Sequence, residues 1–256
     1  MTAIYKKELR SYFINPIGYV FVGVFLAVAA LLCTYTTLKS ASYNTSAYFT
    51  FLIMSFIILI PLLTMKLFSE EKKLRTEQLI LTSPVSITAT VLGKFFAAFT
   101  VFAGSLLVSC VNFIPLYAIA IRERAGQSYS AVHIGPVTSE IIGSLIGIIL
   151  IGAAFIAIGM FISSLTEDQL AAAIGTIAVI LFMVIMGFVN TMTDASGNPI
   201  ISSYAVRFVI DWISVLSRFY NFGYGIFDFS ALIYYFSLCA VFVFLTVRVY
   251  DRRRWN

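Results

Sequence analysis

Six long stretches of this chain contain no Asp, Glu, Lys or Arg: residues 11–38, 40–65, 95–121, 141–166, 169–193 and 229–247. A helix needs roughly 20 predominantly apolar residues to cross the hydrocarbon of a bilayer, and each stretch meets or nearly meets that length. Runs this continuous exclude the period-two, ten-residue segments of a membrane β-barrel. The run after Arg10 also exceeds the roughly 7–15 residues of a cleaved signal core, so it is expected to remain as the first span. With 60% hydrophobic and 11% charged residues among 256, no large soluble domain fits between the spans. The predicted fold is an all-α integral membrane protein. Its six transmembrane helices fall at about 17–38, 47–65, 88–121, 140–163, 169–192 and 229–248.

The basic residues orient these spans. An even number places both termini on one side. If that side is the cytoplasm, 12 of the 17 Lys and Arg residues lie there, and 5 (Lys39, Arg122, Arg124, Arg207 and Arg218) lie outside. This is the positive-inside bias. The net charge of +5 then reads as a topology signal and an attraction to lipid headgroups. A nucleic-acid partner is not expected, because recognition would need a basic patch on a folded face.

The segments between spans carry the remaining signals. Residues 2–14 predict an amphipathic interfacial helix, with Tyr5, Leu9 and Tyr12 on one side and Lys6, Lys7 and Arg10 on the other. Asn15-Pro16 ends it. Residues 66–83 form the longest charged connection; Glu71 precedes Arg75 by four, the favourable order for a helical ion pair. Ser83-Pro84 suits a helix start, and Lys94 is expected to snorkel to the headgroups. In the fourth span, Gly143 and Gly147 form a GxxxG pair, which predicts close packing against another helix without saying which. Glu167 and Asp168, in the turn 163–169, suit either a helix start or a contact for a basic partner. In the outer segment 194–228, Arg207, Asp211, Ser214 and Arg218 recur at helical spacing. They predict one helix at the membrane surface, followed by a joint at 222–225.

The chemistry of known reaction centres is missing from the sequence. There is no GxxxxGK[ST] phosphate loop, no HExxH, and a single histidine, His133. Cys33, Cys110 and Cys239 lie in or beside apolar runs and read as small buried hydrophobes. The central thirds of the spans lack the ionisable groups that proton- and ion-driven carriers keep at membrane depth. No catalytic residue, cofactor or metal site is therefore expected in this chain, and its work is expected to be powered from outside.

Three segments carry a resemblance. They are TAIYKKELRSYFINPIGY before the first span, LFSEEKKLRTEQLILTSPVS between spans two and three, and SSLTEDQLAAA between spans four and five. Together they resemble a bacterial ABC-2 type transporter permease, closest to the gliding-motility and nitrous-oxide-reductase-maturation branch. There an acidic pair is followed by T-x-E-x-L and then P-[VL]-S, here Glu70-Glu71, Thr76, Glu77, Leu79 and Pro84-Val85-Ser86. The family often has Gly before the Thr, where this chain has Arg75.

The resemblance implies an ABC-2 (type V exporter-like) transmembrane fold in a bacterial plasma membrane, with both termini cytoplasmic. It implies pairing with a second permease copy or related chain, and two copies of an ABC ATP-binding subunit that bind the ATP and Mg. Coupling to that subunit would use Glu70, Glu71, Lys72, Lys73, Arg75, Thr76 and Glu77, with Thr166, Glu167, Asp168 and Gln169 as a smaller contact. The interfacial helix, through Tyr5, Lys6, Lys7, Leu9 and Arg10, would brace both. An extracytoplasmic accessory protein is a further implied partner. The alternative left open is a membrane anchor or sensor that docks such machinery without passing a substrate.

Overall fold

The computed structural model describes residues 1–39, 43–76, 86–126, 135–192, 201 and 203–255. The described residues form helices and short connections, without a strand. Helix α1 (Thr2–Ile14) ends at Asn15, whose extended backbone lets Pro16 start α2 (Pro16–Cys33) at its first turn. A wider π-type turn, Thr34–Leu38, completes that span. Helix α3 (Ser46–Thr64) runs with little interruption into the short α4 (Lys66–Lys73). Helix α5 (Ile87–Ser109) leads through a tight 3₁₀ turn, Cys110–Phe113, into α6 (Ile114–Gly126). Helices α7 (Thr138–Leu165), α8 (Gln169–Thr191), α9 (Tyr204–Ile213), α10 (Val215–Gly223) and α11 (Phe229–Trp255) complete the chain.

Six of these helical stretches are long and apolar enough to cross a membrane: Pro16–Leu38, Ser46–Lys73, Ile87–Glu123, Thr138–Leu165, Gln169–Val189 and Phe229–Arg253. Helix α7 is the axis of the bundle and packs against α3, α4, α5, α8, α10 and α11. Its apolar window is 61% buried, against 22% for α11 at the periphery. The small residues of α7 make this possible, because they bring neighbours close where lipid supplies no hydrophobic drive. A Cβ on Gly152 would strike the Phe102 ring, and one on Gly159 would strike Thr64. Beside α7, Phe25, Phe56 and Phe102 meet edge-to-face and stacked with centroids 5.3–6.3 Å apart. They tie α2, α3 and α5 into one core.

The outer segment departs from the sequence expectation. The stripe Arg207–Arg218 does not lie on one helix, because the chain breaks at Ser214, which is extended (φ −68°, ψ 122°) and fully buried. Its hydroxyl accepts from the Ser217 amide and caps α10. The break seats on α8 at Gly187, where a Cβ would come 2.7 Å from the Ser214 hydroxyl. Phe222 and Gly223 belong to α10 rather than to a joint; the turn comes at Gly225, at φ +72°. Ser86 caps α5, its hydroxyl accepting from the Ala89 amide; the helix start expected at Ser83-Pro84 lies outside the described residues.

Candidate functional site

Six spans bring α1, α4, the α7–α8 turn and the end of α11 to one face, called here the terminal face. Its organising group is Lys94, two turns into α5 and 2% exposed. The ammonium donates to Glu8 Oε1 of α1 at 3.1 Å, to Glu71 Oε1 of α4 at 2.8 Å and to the Leu67 carbonyl at 2.8 Å. An ammonium has three donors, and all three are used. The Phe68 ring lies 5.2 Å from the same nitrogen. Lys7, largely exposed, approaches Glu8 at 3.6 Å and Glu71 at 3.8 Å, so two cations balance two carboxylates.

This overturns two expectations. Lys94 does not snorkel to lipid; it is buried in an ion-pair cluster. Glu71 does not pair with Arg75, because α4 stops at Lys73 and Arg75 turns into the left-handed region at φ +55°. That conformation favours glycine. Thr76 closes the turn by donating its hydroxyl and its amide to the Glu71 carbonyl, at 3.2 and 2.9 Å.

Helix α4 is also fixed to α7. The Ser163 hydroxyl accepts from the Phe68 and Ser69 amides, both at 3.2 Å, and donates to the Met65 carbonyl at 3.1 Å. Lys72 is buried and donates to the carbonyls of Ser164 and Thr166. The Phe68 ring packs at a tilt against Tyr250 of α11, with centroids 4.7 Å apart. Glu70 lines a cavity of about 40 Å³ with Glu8, Tyr12 and Lys66.

Helix α1 rests its apolar side on protein. Gly93 of α5 has Ile4 against it, and the Tyr5 hydroxyl meets Thr100 at 3.1 Å. Leu9 packs against the core, and Tyr12 donates to the Leu63 carbonyl at 3.0 Å. Burial, reinforced by the Glu8 carboxylate, raises the Tyr12 pKa and keeps its hydroxyl a neutral donor. Gly18 makes the α1–α2 elbow tight, since a Cβ there would collide with the Tyr12 carbonyl. Lys6, Lys7 and Arg10 remain exposed.

The platform thus presents Lys73, Leu74, Arg75 and Thr76 outward, with Leu165, Glu167, Asp168 and Leu170 exposed at the neighbouring turn. Asp168 accepts from the Leu170 amide and caps α8, as a helix-start carboxylate does. Glu167 has no such structural use among the described contacts. Thr166 is half-buried and donates to the Ile162 carbonyl at 3.3 Å; Gln169 opens α8. Glu77 and the rest of the segment to 83 lie outside the described residues, as does His133. Gly143 and Gly147 sit away from this face, against α10.

Sequence reasoning passed over Glu8 and Ser163. Glu8 is the only acid of α1, and Lys94 the only charge of α5. A single acid among the cations of α1 and a single cation on the apolar α5 were the available signal for the pair. Nothing in the sequence distinguished Ser163 from its neighbours. Comparison with known families finds that the model for ABC-2 family transporter proteins matches residues 34–248. No curated protein matches the chain.

Proposed function

Because the chain belongs to the ABC-2 family of transporter proteins, we propose that it is the permease subunit of an ATP-driven exporter in a bacterial plasma membrane. Members of this family are membrane subunits, not themselves catalytic. In this reading the chain pairs with a second permease and lines the translocation path. Two ATP-binding subunits, holding the ATP and Mg, dock on the terminal face. The exposed end of α4 and the turn at Glu167 are the contact, and α1 braces it.

The observation that supports this reading is the fixation of α4. An element that transmits force must be stiff. Here α4 is held to α5 and α1 through Lys94, to α7 through Ser163 and Lys72, and to α11 through Phe68. A displacement of its exposed end therefore moves four other helices instead of bending a loop. For ATP binding to drive transport, each nucleotide state must contact the two permease conformations differently.

The test uses the chain co-assembled with its ATP-hydrolysing partner in vesicles. Leu74→Asp and Glu167→Lys both alter exposed groups without touching the buried cluster. They are expected to abolish permease-stimulated hydrolysis while the chain still inserts. Wild-type stimulation in both variants would overturn the coupling assignment. ATP-dependent flux in the same vesicles separates transport from an anchoring role.

A further inference from the structure

At the periphery of the bundle, α5 and α11 line a groove of about 550 Å³. That is within the roughly 300–1,000 Å³ of small-ligand sites. Its walls are apolar: Phe95 and Phe96 on α5, and Phe236, Ala240 and Val243 on α11. Its rim is not. Arg248 and Asp251 close the end at the terminal face, three residues apart on α11. Among the described residues no ion pair joins them. Arg248 is exposed, with its guanidinium 5.0 Å from the Phe244 ring.

The order of these parts along the membrane normal identifies an occupant. At 1.5 Å per residue, Phe236 to Asp251 spans about 22 Å. One leaflet supplies about 15 Å of hydrocarbon, half of the whole core. The groove is therefore one leaflet deep, with its headgroup zone added. Read outward, it offers an apolar channel, then a cation, then an anion. A zwitterionic phospholipid presents the complementary sequence: acyl chain, phosphate, ammonium.

We infer that this groove seats one phospholipid of the leaflet at the terminal face, selected for a primary-amine zwitterionic headgroup. Its acyl chain lies between α5 and α11, its phosphate on Arg248 and its ammonium on Asp251. A guanidinium–phosphate contact and an ammonium–carboxylate contact are both charge-assisted hydrogen bonds. A trimethylated ammonium has no N–H to donate, and an anionic glycerol headgroup has no cation to offer Asp251. The site needs only the membrane-embedded chain and is independent of the coupling contact.

The test is native mass spectrometry of the full-length chain, delipidated in detergent and titrated with phosphatidylethanolamine, phosphatidylcholine or phosphatidylglycerol of identical acyl chains. One phosphatidylethanolamine per chain is expected to be retained about tenfold better than the other two, the ratio that one charge-assisted hydrogen bond supplies. Arg248→Gln should weaken all three lipids. Asp251→Asn, which changes an accessible rim group, should erase only the preference for the primary amine. Ala240→Trp should block retention by filling the channel, with Val243→Trp as the second variant should the first not fold. Equal retention of the three lipids, or undiminished retention in a folded tryptophan variant, would overturn the assignment. So would efficient oxidative cross-linking of two chains at Cys239, which also lines the groove, because a second copy would then occupy it.

Discussion

Lys94 shows what one residue can decide in an apolar bundle. A cation this deep is tolerated only when paired and fully hydrogen-bonded, and here two carboxylates and a carbonyl complete it. Removing one partner of a buried pair costs about 3–5 kcal/mol, because the remaining charges are left uncompensated. Lys94→Ala leaves Glu8 and Glu71, 12% and 16% exposed, facing each other with only Lys7 nearby. Its thermal unfolding in micelles should fall accordingly. The triple variant Glu8→Gln, Lys94→Met, Glu71→Gln should recover most of the loss, since no unpaired charge remains. Additive losses across the three positions would show that the cluster is not a unit. The sequence revealed the charges but not their pairing: Glu8 and Lys94 are 86 residues apart, and only the fold brings them together. At Arg75, by contrast, the resemblance pointed to the spot, since a position often held by Gly proved to be at positive φ.

At the scale of elements, the spans were legible because length and apolarity alone define them, whereas breaks inside polar segments were not. The stripe Arg207–Arg218 has helical spacing throughout, and periodicity cannot see that Ser214 is pinned against Gly187. The GxxxG pair announced close packing without its partner. That partner is α10, and the contact is tight: a Cβ on Gly143 would lie 2.6 Å from the Phe222 carbonyl oxygen and 3.0 Å from the Gly225 Cα. Both obstacles are backbone and cannot rotate away. Gly143→Ala should therefore destabilise by about 1–3 kcal/mol through overpacking. Gly104 of α5, with nothing within 4 Å of its would-be Cβ, is the control. Gly104→Ala should be neutral or stabilising by up to about 1 kcal/mol, from helix propensity. Thermal melts of the two variants compare the same chemical change with opposite expected signs; matching shifts would refute the packing account.

At the scale of the whole molecule, the charge distribution and the platform make one linked claim about orientation. The face that gathers α1, α4, the α7–α8 turn and the end of α11 carries the basic excess, 12 residues against 5 on the other. Such an excess is retained on the cytoplasmic side during insertion. The same face carries the α4 platform, so the proposed coupling to a cytoplasmic ATPase requires the orientation that the charge bias predicts. Lys72 is unsuitable as a reporter because it is buried; Lys73 and Lys39 are exposed on opposite faces. In a background lacking Cys33, Cys110 and Cys239, a membrane-impermeant maleimide applied to intact cells should label Lys39→Cys. Lys73→Cys should react only after permeabilisation. The reverse pattern would place α4 away from any cytoplasmic ATPase and remove the basis for coupling. Labelling of both sites in intact cells would mean that the chain inserts in two orientations, which a 12-to-5 bias should prevent.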